Sequence, residues 1–494
     1  MAHPTHAAPE SGPPGPRPHD PPAAALGNAS LLGVGYLLLG RRRLAVAAAA
    51  VTAVLVCVLF RVARPWCEAV LLLWWVAVTA HGWFLAGGRG GRGGRGGGGA
   101  ARGRRAAALG AACLVLLPAG FWRFDAAGIE RDVAEAHGRG DCSRVLAAQD
   151  AVRLPHRVAG APLTARGDGL AEVCDRLEGA GARLGLELDD GTRAADTTEA
   201  AKVARNLKES FDVLASALAE PGNEKAVRAT LERFLGALPA DGHCRTVTVT
   251  DWLRGRHPGQ EALDRYAGAV ERAVARTAPA ALAGCGDDLA DAGQWEEARN
   301  HYRRLLDRYP GDEHADRARK GVARATRAIE LANVTRLLAG PGDEQSEYCS
   351  APAKYSGAAP YRKGRANRAL FSGPTEYTDR LPDEWQTAAP ADAVLVVCVE
   401  QPEFGTPVRT CPYEREPSGS TRNVTFHKIA VPVRAYELRT GKPVADRTLE
   451  IGGTSCPAVI TYYTVGDHDS GPPDQYVSPS DADVRAAFGP LVGR

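Results

Sequence analysis

The chain has 494 residues, 45% hydrophobic and 24% charged, with a net charge of +2. That charge is polarised: residues 1–122 hold twelve arginines against three acids, a net +9, which leaves −7 on the remainder. A mildly acidic C-terminal part disfavours nucleic acid as its partner, since phosphate binding needs a basic face, and 52 arginines against eight lysines with one methionine point to GC-rich coding in a bacterium.

Residues 1–27 are polar, carry eight prolines and lack a compact apolar core with a cleavage site. They are expected to be a disordered cytoplasmic tail rather than a signal peptide. Residues 28–122 read as a membrane anchor. A dozen apolar residues, 29–40, are too short to cross a bilayer and suit an interfacial or re-entrant helix. Three longer runs follow at 44–60, 66–87 and 106–122, near the ~20 apolar residues a crossing helix needs. Trp66, Trp83 and Trp122 stand near their ends, as amphipathic rings prefer the headgroup region.

Arginine placement orients this anchor. Arg41, Arg42 and Arg43 precede the first span, and Arg89, Arg92, Arg95, Arg102, Arg104 and Arg105 occupy the Gly/Arg-rich loop 88–105, whereas only Arg61 and Arg64 lie between spans one and two. The positive-inside rule places the richer clusters in the cytoplasm and everything after Trp122 outside. The GGRGGRGGRGGGG tract lacks interleaved aromatics, so it reads as a flexible charged loop and not an RNA-binding segment. Glu68 and His81 are the ionisable residues of the second span; a transporter or sensor subunit would use them, but their places near its ends favour interfacial positions.

Eight of the eleven cysteines follow the last span. Thiols pair on the oxidising side of a membrane, so this distribution agrees with export. The eight divide into Cys142, Cys174, Cys244 and Cys285 on a helical part and Cys349, Cys398, Cys411 and Cys456 on a strand-rich part. The expected pairs are Cys142 with Cys174, Cys244 with Cys285, Cys398 with Cys411, and Cys349 with Cys456, each four admitting three connectivities.

Residues 123–340 have helical periodicity, with candidate helices at 126–138, 170–184, 198–219, 225–238, 260–292, 295–309 and 312–338. Val203, Leu207, Phe211, Leu214 and Leu218 recur at three- and four-residue steps and define one buried face. Pro279 is expected to break the 260–292 segment in two. Within 279–324, Gly286, Gly293, Ala298, Tyr302 and Pro310 fall at spacings that resemble a tetratricopeptide repeat, with Leu282 where that family often has Trp and Cys285 where it often has Leu. The resemblance implies paired helices, Gly286 and Ala298 permitting close approach, Gly293 ending the first, Tyr302 filling their contact and Pro310 terminating the pair. Such repeats stack to bury a shared core, so neighbouring helices must complete it.

Past residue 340 the period shifts to two. Strands are expected at 393–400, 408–413, 424–438 and 444–451, with a turn at Arg439 to Lys442 and a final helix at 481–492 capped by Ser480 and Asp483. The near-continuous apolar run at 393–400 suits a central strand covered on both faces. The fold class read from these patterns is a membrane-anchored multidomain protein: three transmembrane helices, an all-α TPR-like hairpin stack over 123–340, and a C-terminal α+β domain over 341–494 with an antiparallel sheet.

No Walker loop, GxSxG elbow, HExxH helix or paired CxxC knuckle occurs. The nearest chemical constellation is Asp467-His468-Asp469 with His427, Asp481 and Asp483; it can bind a divalent ion or run acid and base chemistry, but DHDSGPP is also turn composition. Tyr462, Tyr463 and Tyr476 flank it. No catalytic residue, metal or cofactor is assigned. The sequence points to a membrane-anchored extracytoplasmic scaffold of the bacterial cell envelope, docking another envelope protein through its helical stack. An envelope enzyme acting on a glycan or peptide near His468 is the alternative.

Overall fold

The computed structural model describes residues 20–87, 98–189, 197–255, 257–340, 344–415, 419–462 and 472–493. The chain divides into two units, Met1–Thr277 and Ala278–Arg494.

The first unit begins with α1 (Pro21–Ala29), α2 (Val34–Leu38), α3 (Arg42–Val62), α4 (Pro65–Leu85) and α5 (Gly98–Arg139). Among the described residues three helical stretches are long and apolar enough to cross a membrane: Arg42–Val62, Pro65–Leu85 and Arg102–Arg139. Residues 21–27, expected in a disordered tail, instead form most of α1. Prolines at its first positions sacrifice only an N–H that has no helical partner there, and buried Ala23, Ala24 and Gly27 give it a small, close-packing face.

The 29–40 segment holds no helix long enough to cross a membrane; its helix, α2, has five residues. Asn28 Nδ2 donates to Val78 O at 3.1 Å, its Oδ1 accepts from Tyr36 N at 3.1 Å, and Trp75 Nε1 donates to Ala29 O at 3.0 Å. The chain thus descends beside the last turns of α4, reverses at Ser30–Gly33, and returns through α2. Away from water such a reversal needs internal partners, and buried Asn28 and Ser30 supply them. A Cβ on Gly35 would lie 2.0 Å from Ala24 O, so only glycine permits this approach. α5 is a single helix, absorbing the separate helix expected at 126–138 and carrying Pro118 inside it.

Then follow α6 (Cys142–Gln149), α7 (Leu154–Ala159), α8 (Ala161–Asp189), α9 (Thr197–Ala219), α10 (Glu224–Gly236), α11 (His243–Arg254) and α12 (Ala267–Asp291), whose residues from Ala278 onward belong to the second unit. The stripe expected on α9 is buried at every position. Phe211 of that stripe meets Phe234 of α10 and Trp252 of α11 edge-on, with centroids 6.0 and 4.8 Å apart. α11 was hidden by its β-branched TVTVT run, which disfavours helix. Its threonines compensate by bonding backward, Thr248 Oγ1 to Cys244 O and Thr250 Oγ1 to Val247 O, both at 3.1 Å. α12 runs unbroken through Pro279, contrary to the expected break. Burial of Ala278, Ala281 and Leu282 around the proline holds the helix despite one missing hydrogen bond.

The second unit contains α13 (Trp295–Arg308), α14 (Ala315–Leu338), β1 (Ala369–Ser372), β2 (Leu395–Val399), β3 (Glu403–Arg415), β4 (Ser420–Glu437), β5 (Lys442–Ile451), β6 (Gln475–Tyr476) and α15 (Asp481–Val492). Tyr302 of α13 is buried with its ring against two glycines: a Cβ on Gly286 or on Gly321 of α14 would sit 2.6 Å from it. Gly293 takes φ +78° after α12, and Pro310 lies just past α13.

The sheet is mixed, not antiparallel as expected. Its path is β1-β2-β4-β3, with β5 and β6 also on β4. β1 runs parallel to β2 and β6 parallel to β4. Four- and two-residue strands carry too little pattern to be read from sequence, and the long connection before β2 supplies the crossover that a parallel pair requires. β2 is buried along its whole length, as a strand covered on both faces should be. Leu395, Val397 and Val399 face a core with Phe488 and Leu491 of α15, while Val396 and Cys398 face Val334 and Leu337 of α14. The change of period near residue 340 therefore falls inside one unit, because α14 and the sheet share a core.

Cys142 and Cys174 pair as expected, with Cα atoms 5.0 Å apart. Cys244 and Cys285 are also disulfide-bonded. In the sheet the pairs are Cys349 with Cys398 and Cys411 with Cys456, replacing the expected Cys398–Cys411 and Cys349–Cys456. The register gives the reason. Cys398 stands opposite Arg434 and Cys411 opposite Val424, ten positions apart along β4. At ~3.3 Å per residue that separation is near 30 Å, far beyond the ~7 Å a disulfide spans.

Candidate functional site

β1 and β2 end side by side, and the chain leaves each in a different direction. Gly373 turns away at φ +122°, where a Cβ would lie 2.1 Å from Val399 O. Gln345 Nε2 donates to Val399 O at 3.0 Å and Ser346 N to Ser372 Oγ at 2.8 Å, closing the floor. Above it lies a cleft of about 470 Å³ lined by Glu344, Gln345, Pro374, Val399, Glu400, Gln401 and Glu403. Arg434 approaches Glu400 at 3.4 Å. Three carboxylates around one opening make it electronegative, suited to a cationic group.

Beside the cleft, half-exposed Phe404 forms a ledge. Its ring centroid lies 5.0 Å from His427 and 4.5 Å from Tyr476, whose hydroxyl donates to Pro402 O at 3.2 Å. His427 Nδ1 lies 3.0 Å from Gly405 O and Nε2 lies 3.1 Å from Asp474 Oδ2. An aromatic ledge next to carboxylates can bind a cationic or amphipathic segment through stacking and charge together.

Glu450 fixes the strand that carries this ledge. The Thr406 hydroxyl and amide, with Lys428, hold its carboxyl down at about 2. A depressed value means that its contribution is present above the ordinary carboxylate range and disappears as pH falls from ~4.5 towards 2. Because the side chain is solvent-exposed, screening keeps the effect local. Amide exchange at Thr406 should quicken across that window, and Glu450→Gln should be fast and nearly pH-independent there, after correction for intrinsic exchange.

Of the sequence-derived constellation, Asp467, His468, Asp469 and Tyr463 lie outside the described residues. His427 takes Asp474 as its partner rather than Asp481 or Asp483. Asp481 binds Arg380 Nε at 2.9 Å, and Asp483 closes the capping box with Ser480, which lowers its pKa. Among the described residues no group of three or more His, Cys, Asp or Glu is placed to hold a metal ion. Asp474 and Phe404 were missed; Asp474 is 47 positions from His427, and no local spacing signals such a pair.

In the anchor, Glu68 and His81 sit at opposite ends of α4, ~20 Å apart at 1.5 Å per residue, so they share no site. Arg123 Nη1 and Nη2 grip both Glu68 oxygens at 2.6 and 2.9 Å, and His81 Nδ1 lies 2.8 Å from the Tyr36 hydroxyl. Arg41, Arg42 and Arg43 open α3. Arg102, Arg104 and Arg105 lie on the first turns of α5, with Arg105 paired to Asp20 at 2.7 Å. Arg89, Arg92 and Arg95 lie outside the described residues. On the hairpin, Leu282, Cys285, Ala298 and Tyr302 are buried; burial raises the Tyr302 pKa, reinforced by its bond to Asp287.

The chain matches no protein-family model, no curated protein and no solved structure.

Proposed function

We propose that this is a plasma-membrane protein of a bacterial envelope whose region after α5's membrane span is exported and docks another envelope protein. The supporting observation is a partition of thiols. Cys57, Cys67 and Cys113, within the spans, are free, while every cysteine after them is disulfide-bonded. An oxidising compartment on the C-terminal side accounts for that division, and the arginine clusters put the N-terminal side in the cytoplasm. The α12–α14 hairpins serve as a repeat-like scaffold, and the Glu344/Glu400/Glu403 cleft with its Phe404 ledge receives a basic segment of the partner.

Topology is tested first. In intact cells an impermeant maleimide should label the protein strongly only after reduction, and a cytoplasm-dependent reporter fused at Arg494 should be silent; full reporter activity defeats the reading. Binding is tested by photo-crosslinking from position 401 in cells. A single adduct that disappears in the Glu344→Lys, Glu403→Lys double variant supports the cleft. An adduct indifferent to charge reversal removes the cleft from the proposal.

A further inference from the structure

The lipid-facing stripe of α5 does not stop where its hydropathy does. Leu114, Leu117, Phe121 and Phe124 recur at three- and four-residue steps and all are exposed, Phe124 at 81%. Beyond Phe124 the exposed positions of α5 turn charged, with Arg131 and Asp132. The end of that stripe marks a level along the helix, and a second element is fastened at that level. His156 of α7 is buried there: its Nδ1 accepts from Arg153 N at 2.8 Å, so Nε2 carries the proton and meets Asp125 Oδ2 at 2.8 Å. Its ring also packs edge-on against Trp122, centroids 4.8 Å apart. Arg123, already holding Glu68, donates to Ala159 O at 3.1 Å. Ala161, which opens α8 one residue past the end of α7, is buried with Leu59 and Cys67 at the neighbouring ends of α3 and α4.

With His156 turned inward, the opposite face of α7 is left without cover. Leu154 and Val158, one helical turn apart, are 67% and 46% exposed. Isolated exposed apolar residues are ordinary, but these two stand on a helix fastened to α5 and beside the ends of α3 and α4, where Phe60, Trp66, Phe121 and Phe124 are exposed as well. Arg153 stands exposed beside them, its long stem suited to lie over apolar surface with its head at a phosphate.

The geometry points to α7 as a membrane-surface contact: Leu154 and Val158 rest in the outer-leaflet interface and clamp the first exported helices to the bilayer. This rests on the reading that α3, α4 and α5 span the membrane. The lipid surface is the occupant favoured, because the patch is tied to all three apolar helices, through Asp125 and Trp122, through Arg123, and through Ala161 with Leu59 and Cys67. Such a short helix adds little affinity by itself; its role is to fix the exported helices' orientation, the spans having already supplied attachment.

The test uses the full chain in phosphatidylcholine nanodiscs, with Cys57, Cys67 and Cys113 replaced by alanine and an environment-sensitive fluorophore on one introduced cysteine. Leu154→Cys and Val158→Cys should give blue-shifted emission that is quenched by lipid carrying a nitroxide high on its acyl chain, near the ~5–10 Å depth of interfacial helices. Leu114→Cys is the control within the span and Ala134→Cys the control in water. If Leu114→Cys is not quenched by lipid, the spanning reading itself fails. If it is quenched while positions 154 and 158 resemble position 134, this inference alone fails. Blue-shifted emission at 154 and 158 without lipid quenching also overturns it, since another protein or a second copy then covers the patch.

Discussion

Arg245→Ala should be among the most damaging single substitutions in the helices after α5, costing about 3–5 kcal/mol. Arg245 is 1% exposed, and its guanidinium reaches Glu187 O at 3.2 Å, Glu187 Oε2 at 3.5 Å and Glu199 Oε1 at 3.3 Å. It therefore joins the end of α8 to the beginning of α9. Asn206 Nδ2 donates to the other Glu187 oxygen at 2.6 Å, so that carboxylate is held on both sides. Taking away the arginine leaves Glu187 inside the protein without its cation, and the desolvation penalty of the remaining charge dominates the cost. Replacing both partners, Arg245→Met with Glu187→Leu, should recover most of the loss, since an apolar pair of similar volume carries no such penalty. Amide exchange over α8, α9 and α11 in the full-length protein is the measurement. Arg233→Ala is the comparison: its 3.5 Å pair with Glu178 is exposed and should matter by no more than ~1 kcal/mol. An Arg245→Ala protein that exchanges like Arg233→Ala would mean that Glu187 is hydrated in solution.

Legibility in the sequence followed the range of the interaction. The three long apolar helices and the buried stripe of α9 are local patterns, and both are present. The 481–492 helix announced itself through Ser480 and Asp483, which bond reciprocally as the spacing implies. Arg245 was invisible, because an arginine in a polar helix reads as surface until its two glutamates are placed around it. The disulfide pairing failed for a related reason. Cys398 and Cys411 are near in sequence, but β2 and β3 follow one another along the same edge of β4, a relation that no strand pattern encodes. In the candidate site His427 lies on a strand, as read, but its carboxylate partner is Asp474 and none of the aspartates grouped with it from the sequence. The aspartates nearest to the final helix were needed for capping and for Arg380, leaving Asp474 to approach through β6, a strand of two residues. The cleft was not readable at all, since it is made where two parallel strands end.

The hairpin offers the sharpest second test, because its glycine and its ring must fit each other. Tyr302→Ala should cost about 3–5 kcal/mol, the range for emptying a buried aromatic site. Gly286→Ala and Gly321→Ala should each cost about 1–3 kcal/mol by overpacking, since the added Cβ would meet the Tyr302 ring at 2.6 Å from either side. Tyr302→Phe should be far milder: Asp287 keeps its ion pair with Arg317, and losing one hydroxyl bond costs ~1 kcal/mol. The decisive comparison is a double variant. In a Tyr302→Leu background the space beside Gly286 is less crowded, so adding Ala at 286 should cost little or even recover stability, giving a coupling of ~1 kcal/mol or more between residues in contact. Amide exchange of α12, α13 and α14 measures all of these together. If Gly286→Ala were equally harmful with leucine at 302, the glycine would be needed for something other than that ring, and the repeat-like packing proposed for this hairpin would lose its physical basis.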